Sequence, residues 1–363
     1  MFVVKVSFML KNRRSRLNRF IEDYSLDCIL FTNLHNIRYL CGFRGSEGAL
    51  LLTRDGGWFL CDSRYTTQAA VEVGEAGILE FTSKQDTIAA LVKDQGFSRI
   101  GFEAAHTTVA FFTVLSATLD GRELVALGAE LDDIRSCKDA DELQRLSDVA
   151  ELSSAALMAI RPLLRPGVKE VEVALELELE MRRRGADGRA FDFIVASGER
   201  GSMPHGIASE KTLQAGELVT IDFGAIKDGY HSDETVTVAV GDPGERQQAI
   251  HGIVKTAHDM AIAAVRPGIA CKELDAVARE YIRESGYGDY FGHGLGHGVG
   301  LEIHEKPVLS PRGDAVAAEG MVFTIEPGIY IPGFGGVRIE DTVVVTADGC
   351  RVLTAAPKDL FIL

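Results

Sequence analysis

Four carboxylates and a run of histidines are the residues of this chain best able to do chemistry. Gly320-Met-Val-Phe-Thr-Ile-Glu-Pro-Gly328, followed by Arg338-Ile-Glu-Asp-Thr-Val-Val-Val345, repeats an earlier stretch. That stretch is Gly216-Glu-Leu-Val-Thr-Ile-Asp-Phe-Gly224, followed by His231-Ser-Asp-Glu-Thr-Val-Thr-Val238. Aligned glycine to glycine, the copies set Asp222 opposite Glu326 and Asp233 opposite Glu340. Read as strands, they put Thr220 with Asp222, and Thr324 with Glu326, on one face, while Val219, Ile221, Phe323 and Ile325 take the other. Asp233 shares a face with Thr235 and Thr237, and Glu340 with Thr342. Four acids on neighbouring strands repel one another and lose hydration, so they require a cation or a proton between them. A cluster of hard, oxygen-preferring metal ions meets that need.

Between the acidic copies lies Gly292-His-Gly-Leu-Gly-His-Gly-Val-Gly300, with glycine at every second place. So many glycines disfavour a helix. As an extended segment, it puts His293, Leu295, His297 and Val299 on one face and leaves the other open to close backbone approach. One of these histidines is placed to complete a metal site. A phosphate-cradling loop would need Gly-x-Gly-x-x-Gly or a following Lys-Ser/Thr, and neither occurs. His304 lies close behind, and His205 in Met203-Pro-His-Gly206 holds a similar place in the first copy. Arg338 shares a face with Glu340, where it either orients that carboxylate or balances its charge.

These residues need elements to carry them. A long amphipathic helix begins at Asp139, with Leu143, Leu146, Val149 and Ala150 at helical spacing. Arg165-Pro-Gly167 opens a segment in which Glu172, Val173, Met181, Arg182 and Gly185 match Glu273, Leu274, Ile282, Arg283 and Gly286 after Arg266-Pro-Gly268. Two halves of roughly a hundred residues, each helices followed by a β-hairpin, are implied. Packed about a pseudo-twofold axis, they would bring both acidic hairpins to one cleft. Upstream, Asp27–Thr32 and Asn36–Leu40 read as strands, Ala49–Thr53 and Gly57–Cys61 as a hairpin, and helices begin near Thr66 and Thr107. The expected division is a supporting α/β domain over residues 1–134 and a site-bearing domain over 135–363, an α+β chain as a whole.

Composition narrows the partners. The chain has 363 residues, 46% of them hydrophobic, and a net charge of −15, which disfavours nucleic acid and anionic membranes. Its six cysteines are scattered without a Cys-x-x-Cys pair, as expected of reduced thiols in a cytoplasmic protein. The apolar stretch Met1–Leu10 is interrupted by Lys5 and precedes its basic residues, the wrong order for a signal peptide. Met9 is a possible alternative start.

These motifs resemble the pita-bread metallopeptidases, in the branch of Xaa-Pro aminopeptidases and prolidases, over nearly the whole chain. Asn36–Leu40, Gly42-Phe-Arg-Gly-Ser-Glu-Gly48 and Asp62-Ser-Arg-Tyr-Thr66 are similar to the creatinase/prolidase N-terminal domain. Pro204-His-Gly206, Ile221–Gly224, Ser232-Asp233, Gly292–Gly300, Glu302–Glu305, Thr324–Gly328 and Gly336–Asp341 are similar to the catalytic motifs. The resemblance implies that Asp222, Asp233, His297, Glu326 and Glu340 hold two divalent metal ions, manganese first, with cobalt or zinc possible. His205, His293 and His304 would handle substrate and protons, with Glu326 relaying a proton through His293. Arg338 would support the site, and Tyr330 matches a substrate-site tyrosine. The implied activity is removal of an N-terminal residue preceding proline by water activated between the metals. The alternatives are a prolidase restricted to Xaa-Pro dipeptides and, more remotely, a non-catalytic peptide-binding protein on the same fold. Proline-containing peptides are the implied partners, and a homodimer the implied assembly.

Two departures stand out. Glu234 and Val236 occupy places where the family often has an apolar residue and an arginine. By alternation both point away from the metals, so they bear on a neighbouring salt bridge or a subunit contact. Gly201-Ser-Met203 bears on the substrate rim.

Overall fold

The apolar run Cys28-Ile-Leu-Phe31 is buried end to end, as a strand covered on both faces is. In a computed structural model, which describes residue 13 and residues 15–363, it is β1 (Cys28–Phe31), inside a six-stranded sheet. The expectations for Met1–Leu10 concern residues outside that range. Around β1 stand β2 (Ala49–Leu52), β3 (Gly57–Cys61), β4 (Gly77–Glu80), β5 (Arg99–Glu103) and β6 (Glu123–Leu127), in the order β4-β3-β2-β1-β5-β6. The hairpin β2–β3 is antiparallel as expected, and β5 pairs parallel with both β1 and β6. Besides a helical stretch over residues 15–23, the helices include α1 (Leu34–Cys41), α2 (Thr66–Glu72), α3 (Lys84–Asp94) and α4 (Val109–Thr118).

Helix α1 corrects the sequence reading, which made Asn36–Leu40 a strand. Five residues fit either period, and the caps decide. The Asn33 side chain accepts from the His35 backbone N–H at 2.7 Å, and Gly42 ends the helix in a left-handed conformation at φ 87°. Ile37, Leu40 and Cys41 then fall on one buried helical face.

The chain divides into one unit ending at Arg135 and another running from Ser136 to Leu363. The second opens with α5 (Ala140–Ile160), closed at its start by a capping box between Asp139 and Glu142. Then follow α6 (Glu170–Arg183), β7 (Gly188–Arg189), β8 (Ile194–Ser197), β9 (Glu217–Phe223), β10 (Ala225–Lys227), β11 (Tyr230–His231) and β12 (Glu234–Val240). The order then recurs with α7 (Glu245–Ala264), α8 (Cys271–Ile282), β13 (Gly296–Gly298), β14 (Glu305–Leu309), β15 (Val322–Ile325), β16 (Gly328–Ile331), β17 (Gly335–Arg338), β18 (Asp341–Val345) and β19 (Cys350–Val352). Gly167 and Gly268 take equivalent left-handed turns, φ 92° and 86°, before α6 and α8.

Each half builds its own sheet, β12-β9-β8 in the first and β14-β13-β15-β18-β19 in the second. The acidic stretches are wider than simple hairpins. Antiparallel β9 and β12 are interrupted by β10–β11, and β15 and β18 by β16–β17. Each half also has its own core. Val219, Ile221 and Phe223 belong to one, Phe323 and Ile325 to the other, on the faces that alternation assigns. The sheets meet where the acids are, since the Glu340 N–H donates to the Thr235 carbonyl at 3.1 Å and the Thr342 hydroxyl to the Asp233 carbonyl at 2.8 Å. No helix among the described residues is long and apolar enough to cross a membrane.

Candidate metal centre and cleft

All five expected metal ligands line one cleft of about 500 Å³. Asp222 comes from β9, Asp233 from the approach to β12, His297 from β13, Glu326 from the exit of β15, and Glu340 from between β17 and β18. Asp233, His297 and Glu340 offer ligand atoms that all lie within 4.8 Å of one another. His297 Nε2 stands 3.5 Å from Asp233 Oδ2 and 3.4 Å from Glu326 Oε1. Its Nδ1 is 3.1 Å from the Gly298 carbonyl, so Nδ1 carries the proton and the Nε2 lone pair faces the acids. Each half supplies a threonine that steadies an acid of the second half, Thr235 Oγ1 donating across to Glu340 Oε2 at 2.6 Å and Thr324 Oγ1 to Glu326 Oε1 at 3.2 Å.

The electrostatics fit divalent cations. Asp233 is held well above the usual carboxylate range, by burial first and then by Glu340 and Asp222. Glu340 is raised likewise, by burial and then by Glu326 and Asp222. Burial pushes Glu326 up to about 8 against the pull of Arg338. Burial and then nearby His304 push His297 down to about 3, which keeps its imidazole neutral as a ligand must be. Asp222 Oδ1 is buried with no hydrogen-bond partner. Four crowded acids, a neutral imidazole and an orphaned oxygen make a donor set suited to hard divalent ions.

The extended reading of the glycine–histidine stretch needs correction. Only Gly296–Gly298 is a strand, and its register shifts at His297/Gly298. His293 and His297 line the cleft, whereas Leu295 and Val299 are wholly buried, Leu295 in the core of the second half. The glycines do serve close approach. A Cβ on Gly296 would sit 2.0 Å from the Thr324 carbonyl oxygen, and one on Gly298 2.2 Å from that of Lys306.

Arg338 also differs from expectation. Its Nη2 donates to Asp222 Oδ2 at 2.6 Å, so it orients the acid of the other half rather than Glu340. Its Nη1 donates to the Pro204 carbonyl at 3.1 Å and to the Tyr330 hydroxyl at 2.9 Å. Tyr330, buried at 7% exposure, lies 2.9 Å from His293 Nε2. His293 Nδ1 is 2.8 Å from the Gly294 carbonyl, so Tyr330 accepts from Arg338 and donates to His293. Burial pushes Tyr330 up to about 12 and His293 down to about 4. No hydrogen bond among the described residues joins Glu326 to His293, so the expected relay lacks a direct link. His205 and His304 line the exposed rim, and the His304 ring centroid is 4.1 Å from that of His297.

Sequence reasoning missed the apolar wall of Phe191, Ile194, Ile207, Ile303 and Val308. Its signal was adjacency, with Ile207 two residues after His205 and Ile303 just before His304. Aliphatic residues in a strand-rich chain otherwise look like core.

Comparison with known proteins agrees with this architecture. The family model for metallopeptidase family M24 matches residues 144–347, and that for the creatinase/prolidase N-terminal domain matches residues 13–137. A Pyrococcus furiosus protein described as an Xaa-Pro dipeptidase is 39% identical over 97% of this chain and 100% of its own length. The solved structure of a Bacillus anthracis Xaa-Pro dipeptidase is 41% identical, with a TM-score of 0.95 covering 98% of this chain and 100% of that one. A Thermotoga maritima X-Pro aminopeptidase structure is 38% identical, with a TM-score of 0.89 covering 96% and 99%. With the duplicated halves, the acid cluster and both domain matches in register along one chain, the protein belongs to metallopeptidase family M24, as a metallo-exopeptidase of the pita-bread fold behind a creatinase/prolidase N-terminal domain.

Proposed function

We propose that the protein is an Xaa-Pro dipeptidase that uses two divalent metal ions held by Asp222, Asp233, His297, Glu326 and Glu340. The observation that carries the reading is the convergence of those five side chains in one apolar-walled cleft. The sequence alone put the aminopeptidase reading first. The full-length likeness to proteins described as Xaa-Pro dipeptidases favours the dipeptide restriction instead. The Thermotoga maritima likeness keeps the aminopeptidase as the second reading. A donor set of four carboxylates and one imidazole suits manganese, with cobalt or zinc as substitutes.

When bound, the metal pair supplies Lewis acidity and makes water acidic enough to act near neutral pH. The remaining work falls to the chain. Arg338 fixes Asp222, and through Tyr330 it fixes His293. His205 and His304, exposed at the rim, hydrogen-bond the substrate's carbonyl and carboxylate oxygens. As water adds to the carbonyl carbon, the Glu326 carboxylate takes its proton and returns it to the proline nitrogen, so the C–N bond breaks to release a neutral amine. The apolar wall excludes water and receives the pyrrolidine ring and the side chain of the preceding residue. The lack of an N–H on proline lets the wall discriminate, since an ordinary amide would bury an unsatisfied donor there. The reading carries with it a cytoplasmic homodimer, and a supporting role for the domain over residues 1–134.

A length series tests it. With Mn²⁺ present, Ala-Pro should be hydrolysed and Ala-Pro-Ala should not, with Glu326→Ala as the inactive control. Comparable cleavage of the tripeptide would establish the aminopeptidase reading, and cleavage of neither would defeat both.

A further inference from the structure

In a strand, the residue after a cleft-facing side chain points out of the back. The residues after Asp233 and Glu340 are themselves acids, Glu234 and Asp341, with 0% and 6% exposure. Behind the centre therefore lie two more carboxylates, one from each half, shut away from water.

A single ammonium group serves both. Lys358 Nζ lies 2.5 Å from Glu234 Oε1 and 3.2 Å from Asp341 Oδ1, with its side chain 7% exposed. The segment that carries it crosses from one half to the other. The Leu353 N–H donates to the Thr342 carbonyl of β18 at 2.9 Å, and Thr354 Oγ1 donates to Asp341 Oδ1 at 2.5 Å. The Ala356 N–H then donates to Glu234 Oε1 at 2.9 Å, and the Leu363 N–H to the Ala239 carbonyl of β12 at 2.9 Å. The other oxygens also have polar neighbours. Ser154 Oγ donates to Glu234 Oε2 at 2.5 Å, and His258 Nε2 lies 3.2 Å from Asp341 Oδ2. This resolves the departure at Glu234, which makes a salt bridge within the chain.

Buried ion pairs are poor devices for stability, because desolvation consumes most of their Coulomb energy. What this one supplies is geometry, a fixed point gripping the backs of both acid-bearing strands. We propose that Lys358 is a positioning residue of the metal centre: by holding Glu234 and Asp341 against one ammonium group, it sets the spacing and orientation of Asp233 and Glu340 on the opposite face. This rests on the reading of Asp233 and Glu340 as ligands.

The test is titration of the metal-free full chain with Mn²⁺, followed by calorimetry and by the electron paramagnetic resonance spectrum of the bound ion. Lys358→Met should bind Mn²⁺ about 10- to 100-fold more weakly and alter the spectrum, with Lys358→Arg recovering part of the loss. If Lys358→Met does not fold, the Glu234→Gln/Lys358→Met double variant decides, since it leaves no unpaired charge at Glu234. It should melt near the parent temperature and still bind Mn²⁺ about 10-fold or more weakly. Parental affinity in the folded double variant would mean that Lys358 only balances charge, and would overturn the proposal. A parent chain that binds no divalent ion would instead defeat the reading of the ligands, and this inference with it.

Discussion

A single hydroxyl links two of the cleft's functional side chains. Tyr330 accepts from Arg338 and donates to His293, each at 2.9 Å. Tyr330→Phe keeps the ring and removes both bonds, leaving a buried guanidinium short of an acceptor and His293 free to turn. The expected cost is about 1–3 kcal/mol, read mainly as a fall in kcat on Ala-Pro with metal content unchanged. Arg338→Met goes further, because Asp222 then loses its only side-chain donor among the described hydrogen bonds. It should lower both activity and metal occupancy, measurable by elemental analysis of the purified variant. Alternation put Arg338 and Glu340 on one face correctly, yet the guanidinium reaches across to Asp222. A long side chain's partner is set by what the fold brings opposite it, which spacing along one strand cannot convey.

The elements that carry these residues are joined by backbone packing with no room for side chains. Gly296 lies against the Thr324 carbonyl, two residues before Glu326, whereas a Cβ on Gly292 would meet nothing within 4 Å. Gly296→Ala should cost about 1–3 kcal/mol or more and displace Glu326, with melting temperature and metal affinity falling together. Gly292→Ala should change neither. This contrast also marks how far pattern could be read. The alternating glycines signalled close approach, but not that the chain turns between His293 and Gly296 and sends Leu295 into the core. Likewise Asn36–Leu40 carried apolar residues compatible with two periods, and only the Asn33 and Gly42 caps resolve them as a helix. The duplicated acidic strands were legible because each alternates a greasy face with a polar one over enough residues to exclude other periods. Lys358 was invisible, since an isolated lysine carries no pattern.

Over the whole second unit, two hydrophobic cores back two sheets that meet at the acids. Ligand binding there should therefore stabilise both halves together. Mn²⁺ at about 100 times its Kd should add about 2.7 kcal/mol, and chelation should remove it, seen as a drop of roughly 5 to 10 °C in Tm. Acid should weaken the fold from a separate place. His251, on α7 and 3% exposed, is pushed by burial from its ordinary 6.5 down to about 4, and its Nε2 has no partner. The unfolded chain thus takes up a proton that the folded chain resists. Stability from this group is complete above pH 6.5 and falls as pH drops toward 4, by up to about 3 kcal/mol. Urea melts of His251→Leu against the parent should show a shallower loss over that window.

The crossing segment Leu353–Leu363 has a temporal side. A ribosome makes it after every strand it ties together, so both acid-bearing halves emerge before the residue that braces them. Synthesis order alone thus delays the braced centre until Lys358 has left the exit tunnel. The two halves exist as strands before the lysine that spans their backs can join them.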